Sequence, residues 1–165
     1  LALRGNRTHE TAGGHRWDVS SLEFGSVPLQ DLLHVTTCRL RQAFHIHSER
    51  IFLAGSGYGA DAALQMLVQR PEWFAGGILL DPACKTDCLK ADRLKGLRGK
   101  PVLMSVSRNC PADMLARNVE IVRTLRSAGG KIDVELTEHP VDPTSSEVRM
   151  LDHWMMNCIN REALV

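Results

Sequence analysis

The sequence predicts an α/β domain built as a three-layer sandwich, a mostly parallel sheet with helices on both faces. Three observations lead there. Short, almost uninterrupted apolar runs recur at 50–54, 76–81 and 101–106, and a fourth strand-like segment, with Asp and Glu interleaved, lies at 132–136. Between them lie segments whose apolar residues fall at helical spacing. The first run also passes directly into a glycine-rich turn, Gly55–Gly59, and from there into a small-residue helix. Strands that are apolar on both faces are buried on both faces, as in a parallel sheet covered by helices.

In chain order, residues 5–17 are rich in Gly, Asn, Arg and His and read as a loop. From Pro28 to about Phe44, apolar residues at 29, 32, 33, 40, 43 and 44 make a helical face. Pro28 suits the first turn of that helix, and Ser26 is placed to cap it. The helix after Gly59 reaches about Arg70, where Pro71 stops it. Trp73 and Phe74 pack the turn before the second strand, Gly76–Asp81. Residues 85–100 are polar and hold at most a weak helical turn. Their Lys and Arg, like Arg39 and Arg41, read as solvated faces. Pro101–Val106 is the third strand. Met114, Leu115, Val119, Val122 and Leu125 line the next helix, which Gly129 and Gly130 close. Residues 132–136 form the fourth strand. A last amphipathic helix runs from Ser145 to about Asn160, with Trp154, Met155 and Met156 as packing residues.

Composition narrows the function classes. The 165 residues make one domain, 1–165, large enough to bury roughly 70% of the surface its unfolded chain exposes. Twenty basic against 19 acidic residues, with no basic stripe, give no reason to expect nucleic acid or an anionic membrane surface. The apolar runs are too short to span a bilayer. Five cysteines, 38, 84, 88, 110 and 158, are an odd number without framework spacing. They read as reduced thiols and favour a cytoplasmic setting. Cys84 and Cys88 lack the second ligand pair a zinc site needs, and His45 and His47 read as solvated loop residues. No metal or cofactor is expected. The chain opens at Leu1, on residues that look like a strand already ending, so it reads as the C-terminal part of a longer chain with N-terminal strands missing.

The turn carries most of the functional information. A strand, a G-x-S-x-G turn and a helix present the nucleophile of α/β hydrolases on a strained bend. Here the frame Gly55-x-Gly57-x-Gly59 has glycine at its centre. Several separated segments agree with this frame: Arg4-Gly5, 14–17 (GHRW), 45–55 (HIHSERIFLAG), 70–77 (RPEWFAGG) and 99–104 (GKPVLM). Together they resemble the phospholipase/carboxylesterase, acyl-protein-thioesterase-like branch of the α/β-hydrolase superfamily over nearly the whole chain. The resemblance implies the catalytic positions. The nucleophile falls on Gly57, the acid on Cys110 within 107–111 (SRNCP), and the histidine on Pro143 within 140–143 (PVDP).

All three triad positions are therefore substituted. Acyl transfer needs a hydroxyl, a base within hydrogen-bond reach, and a carboxylate that fixes the base's tautomer. Glycine has no nucleophile and proline no imidazole. Loss of one member can cost roughly 10⁶ in turnover, about as much as loss of all three. The expectation is a catalytically silent hydrolase fold that binds, scaffolds or regulates, with a small acyl or ester ligand above Gly57. Of the oxyanion hole, the Tyr58 N–H remains, and the other half would lie upstream of Leu1. Gly57 is expected to hold a positive φ.

Two other readings use the same residues. An active esterase would employ a displaced Ser56, with Asp113 and His139 following in the hydrolase order Ser…Asp…His. A dinucleotide-binding module would use Gly55, Gly57 and Ala60 as G-x-G-x-x-A, with Asp81 as the ribose-binding acid.

Overall fold

The computed structural model describes residues 7–8, 15–16, 23–24, 26–47, 50–83, 89, 91–141 and 148–162. Two short antiparallel ladders come first. One pairs β1 (Arg7–Thr8) with β2 (His15–Arg16), so the stretch read as a loop holds a strand pair. The other pairs β3 (Glu23–Phe24) with β4 (Val27–Pro28). Helix α1 follows (Leu29–Phe44), with Pro28 as its N-cap and no side-chain cap bond. The expected Ser26 cap is therefore not formed.

The main sheet has four parallel strands in sequential order: β5 (Phe52–Ser56), β6 (Gly76–Leu80), β7 (Pro101–Ser107) and β8 (Lys131–Thr137). Its registers run Phe52 to Gly76, Gly77 to Val102 and Pro101 to Lys131. Helix α2 (Tyr58–Gln69) joins β5 to β6. The next crossover contains a short helix α3 (Ala91–Leu94) continued by a 3₁₀ turn, more order than its polar sequence suggested. Helix α4 (Ala112–Ser127) joins β7 to β8, and α5 (Val148–Glu162) follows β8. At the end of α4, Gly129 N–H donates to the Arg126 carbonyl and Gly130 N–H to that of Leu125, a Schellman closure.

The alternation of β6 and β7 shows why their residues are apolar throughout. Leu79, Val102, Met104 and Val106 face one layer, where Leu64 and Leu67 of α2 and Ile121 and Leu125 of α4 pack on them. Ile78, Leu80 and Leu103 face the other, against Leu151, Met150, Trp154 and Met155 of α5. Trp154 and Met155 thus pack as expected, whereas Met156 is exposed. Trp154 also donates its Nε1–H to Asp133 Oδ2 (2.8 Å) and meets the Phe52 ring edge-on. Helix α1 departs from expectation. Only Leu29 of its apolar face is buried, against Ala62 and Met66, and the face fades toward an exposed Phe44.

Asp61 ties the layers together at the start of α2. It is 1% exposed, and its Oδ1 accepts the Ala83 N–H (2.9 Å) from the segment after β6. An acidic group in the first helical turn also complements the helix N-terminus. Replacing Asp61 by Ala strands that N–H in the interior, at a cost of about 2 kcal/mol. Urea unfolding should show this loss for Asp61→Ala and a smaller one for Asp61→Asn, which keeps an acceptor. Equal stability of Asp61→Ala and the parent would contradict the assignment.

Candidate functional site

The bend between β5 and α2 stands at the carboxyl end of the sheet, where open α/β sheets place their ligands. Gly57 sits at its apex with φ 54° and ψ −122°, a conformation side-chain-bearing residues adopt only under strain. Its positive φ agrees with the sequence expectation. A β-carbon on Gly57 would meet no atom within 4 Å, so the apex faces open space. The turn is also very tight: a β-carbon on Gly55 would collide with the Gly59 carbonyl. Strand end and helix start therefore touch backbone to backbone.

Hydrogen bonds stitch this bend to the neighbouring strand ends. Gly57 N–H donates to the Leu80 carbonyl (2.8 Å), while Ala60 N–H returns to the Gly57 carbonyl (3.0 Å). Asp81, just past β6, has φ 47°. Its N–H donates to the Ser105 carbonyl (2.9 Å), and its Oδ1 accepts the Ser107 N–H (2.6 Å). The side chain singled out as a ribose-binding acid is thus engaged in holding β6 to β7. Tyr58 begins α2 with its ring exposed. As a first-turn N–H, its backbone donor has no intrahelical acceptor. Among the described residues, Ser105 Oγ of β7 and Thr137 Oγ1 at the end of β8 are buried hydroxyls without a partner.

The other site positions are scattered around this end. Cys110 is half-buried in the turn after β7, its N–H donating to the Ser107 carbonyl (3.2 Å), and it packs against the α2–α4 layer. Pro143 lies outside the described residues, as do Cys84 and Cys88. Ser56 is the exposed last residue of β5. On the alternation of the strand it shares a face with Phe52, which leans on α5, so it leaves the chain on the α5 side. Asp113 is exposed in the first turn of α4, and its Oδ2 accepts from Arg117 (2.7 Å). His139 is exposed two residues beyond β8. No hydrogen bond among the described residues joins Ser56, Asp113 and His139. His45 and His47 are exposed, and no group of three or more metal-ligating side chains occurs among the described residues.

Sequence reading missed two features. Asp61 was passed over as one polar residue in a small-residue helix, although a lone carboxylate in such a setting is a signal of burial with a partner. Arg93, exposed as expected for the basic stretch at 90–100, also lines a cavity with Arg70, a pairing the sequence does not indicate.

No protein-family model matches the sequence, and no curated protein matches it. Solved structures do. A variant of SOBER1 from Arabidopsis thaliana superposes with a TM-score of 0.64, at 16% identity, over 89% of this chain and 69% of that one. The Bacillus cereus carboxylesterase gives a TM-score of 0.64 at 18% identity, over 94% of this chain and 73% of its own. A thermostable esterase matches with a TM-score of 0.55 at 21% identity, over 87% of this chain and 39% of its own. No described helix is long and apolar enough to cross a membrane. The likeness to esterases, joined to the parallel sheet and the bend at Gly57, shows that this chain has the α/β-hydrolase fold.

Proposed function

We propose that this chain uses an esterase-type fold to bind rather than to hydrolyse. The observation that carries the reading is Gly57 itself: the apex of the bend projects no side chain into the open space above it. Cys110 and Pro143 stand at the acid and histidine positions implied by the resemblance, and neither can orient or act as a general base there. The displaced set is no better supported. Asp113 is paired with Arg117, and Ser56 leaves its strand toward the α5 face.

The bend still offers a polar cradle. The Tyr58 N–H at the start of a 12-residue helix is suited to a carbonyl or carboxylate oxygen. The ligand class that fits is a small acyl or carbonyl compound, and the role is binding, scaffolding or regulation.

Two outcomes follow. The full chain should hydrolyse p-nitrophenyl acetate no faster than buffer does, and Ser56→Ala should leave that rate unchanged. Turnover that disappears in Ser56→Ala would overturn the reading in favour of a displaced nucleophile. Gly57→Ser should fold, because its side chain meets open space, but lose roughly 1–3 kcal/mol of stability to backbone strain. It should stay within an order of magnitude of background hydrolysis, since a hydroxyl without base and acid is a poor nucleophile.

A further inference from the structure

A second concave site lies away from the Gly57 bend. It is a cavity of about 460 Å³, and its polar lining is Gln30, Gln69, Arg70 and Arg93. Arg70 closes the far end of α2, roughly 18 Å of helix from the bend. The cavity is therefore distinct from the site above Gly57. Among the described residues, no acidic side chain lines it.

We propose that this cavity binds a phosphate-bearing small molecule, with Arg70 and Arg93 holding the phosphate. A guanidinium presents a fixed fork of N–H donors that matches phosphate oxygens two at a time. Two such groups facing one cavity, without a carboxylate among them, form a field that selects an anion. Their donors are uncommitted: among the described residues, the side chains of Arg93, Gln30 and Gln69 form no hydrogen bond or ion pair. The two carboxamides add neutral donors for the rest of the ligand. The cavity is open to solvent, with both arginines exposed, and its volume is more than an isolated phosphate needs.

The walls hold these groups in place. The Arg70 guanidinium lies over the Trp73 ring, 5.2 Å from its centroid, which fixes a side chain that would otherwise roam. Trp73 is itself held between His34 (4.8 Å) and Phe74 (6.5 Å). On the opposite wall, a β-carbon on Gly96 would collide with Pro71, so the 3₁₀ turn after α3 sits directly against the chain leaving α2. Gln30 comes from the first turn of α1, whose N–H groups carry no side-chain cap and add positive potential. Asp31 in the same turn does not line the cavity. Lys95 and Arg98, exposed in the turn that follows Arg93, add positive charge that raises the local concentration of anions.

The test is calorimetric titration of the full chain, at low salt, with pyrophosphate, inorganic phosphate and malonate. Pyrophosphate should bind one to one, inorganic phosphate more weakly, and malonate at least tenfold more weakly than pyrophosphate. Arg93→Gln should weaken pyrophosphate at least tenfold, and Arg70→Lys should do so while keeping the charge. Arg117→Gln, on α4, should leave binding unchanged. Because the Arg93 side chain has no partner to lose, its variant should melt with the parent, so weaker binding would not reflect unfolding. No heat with millimolar pyrophosphate, malonate binding as tightly as pyrophosphate, or full affinity in Arg93→Gln would each overturn the proposal.

Discussion

Between Gly55 and Gly59 the backbone folds back so closely that a side chain on Gly55 would strike the Gly59 carbonyl. This contact sets the geometry of the whole carboxyl end of the sheet. It forces the chain to turn within the three residues between, which puts Gly57 at positive φ and starts α2 at Tyr58. The start of α2 then determines where Asp61 is buried, and Asp61 secures the segment after β6 through Ala83. Gly57 also donates to the Leu80 carbonyl, and Asp81 binds the backbone of Ser105 and Ser107. The ends of β5, β6 and β7 are thus locked to one another through backbone groups and the carboxylates of Asp61 and Asp81. None of these links uses a side chain at the apex.

The α/β-hydrolase fold is thus held together with glycine at the apex of the bend. In an active hydrolase the strained residue at the apex is retained because its hydroxyl is needed there. Glycine meets the same dihedral angles at little steric cost. The space above Gly57 stays open, and the first-turn N–H donors of α2 stay available to a ligand oxygen. The basic cavity at the far end of α2 is a separate surface, fixed by the Arg70–Trp73 stack and by the Gly96–Pro71 contact. The two sites share only α2, so a ligand at one can leave the other unaffected.

Much of this fold was legible in the chain. The four expected strands formed in a parallel sheet within two residues of their expected limits, and burial on both faces accounts for the unbroken apolar sequence of β6 and β7. Gly129 and Gly130 closed α4 as their chemistry requires. The apex position was readable from glycine spacing alone. Other features were hidden for physical reasons. The order at 91–97 comes from Leu94 and Leu97 entering the core beneath α2, a tertiary effect that a polar local sequence masks. The cap of α1 was misread because β4 runs straight into the helix and leaves Pro28, not Ser26, at the junction. Arg70 and Arg93 are 23 positions apart, and only folding brings them to one cavity.

The central claim, that no nucleophile stands at the bend, is tested most directly by covalent capture. The full chain would be incubated with a fluorophosphonate that modifies activated serines, then weighed intact and mapped by peptide mass spectrometry. The account predicts an unmodified mass and an unmodified Ser56. Stoichiometric addition of the phosphonyl group to Ser56 would show an activated hydroxyl beside Gly57 and contradict it.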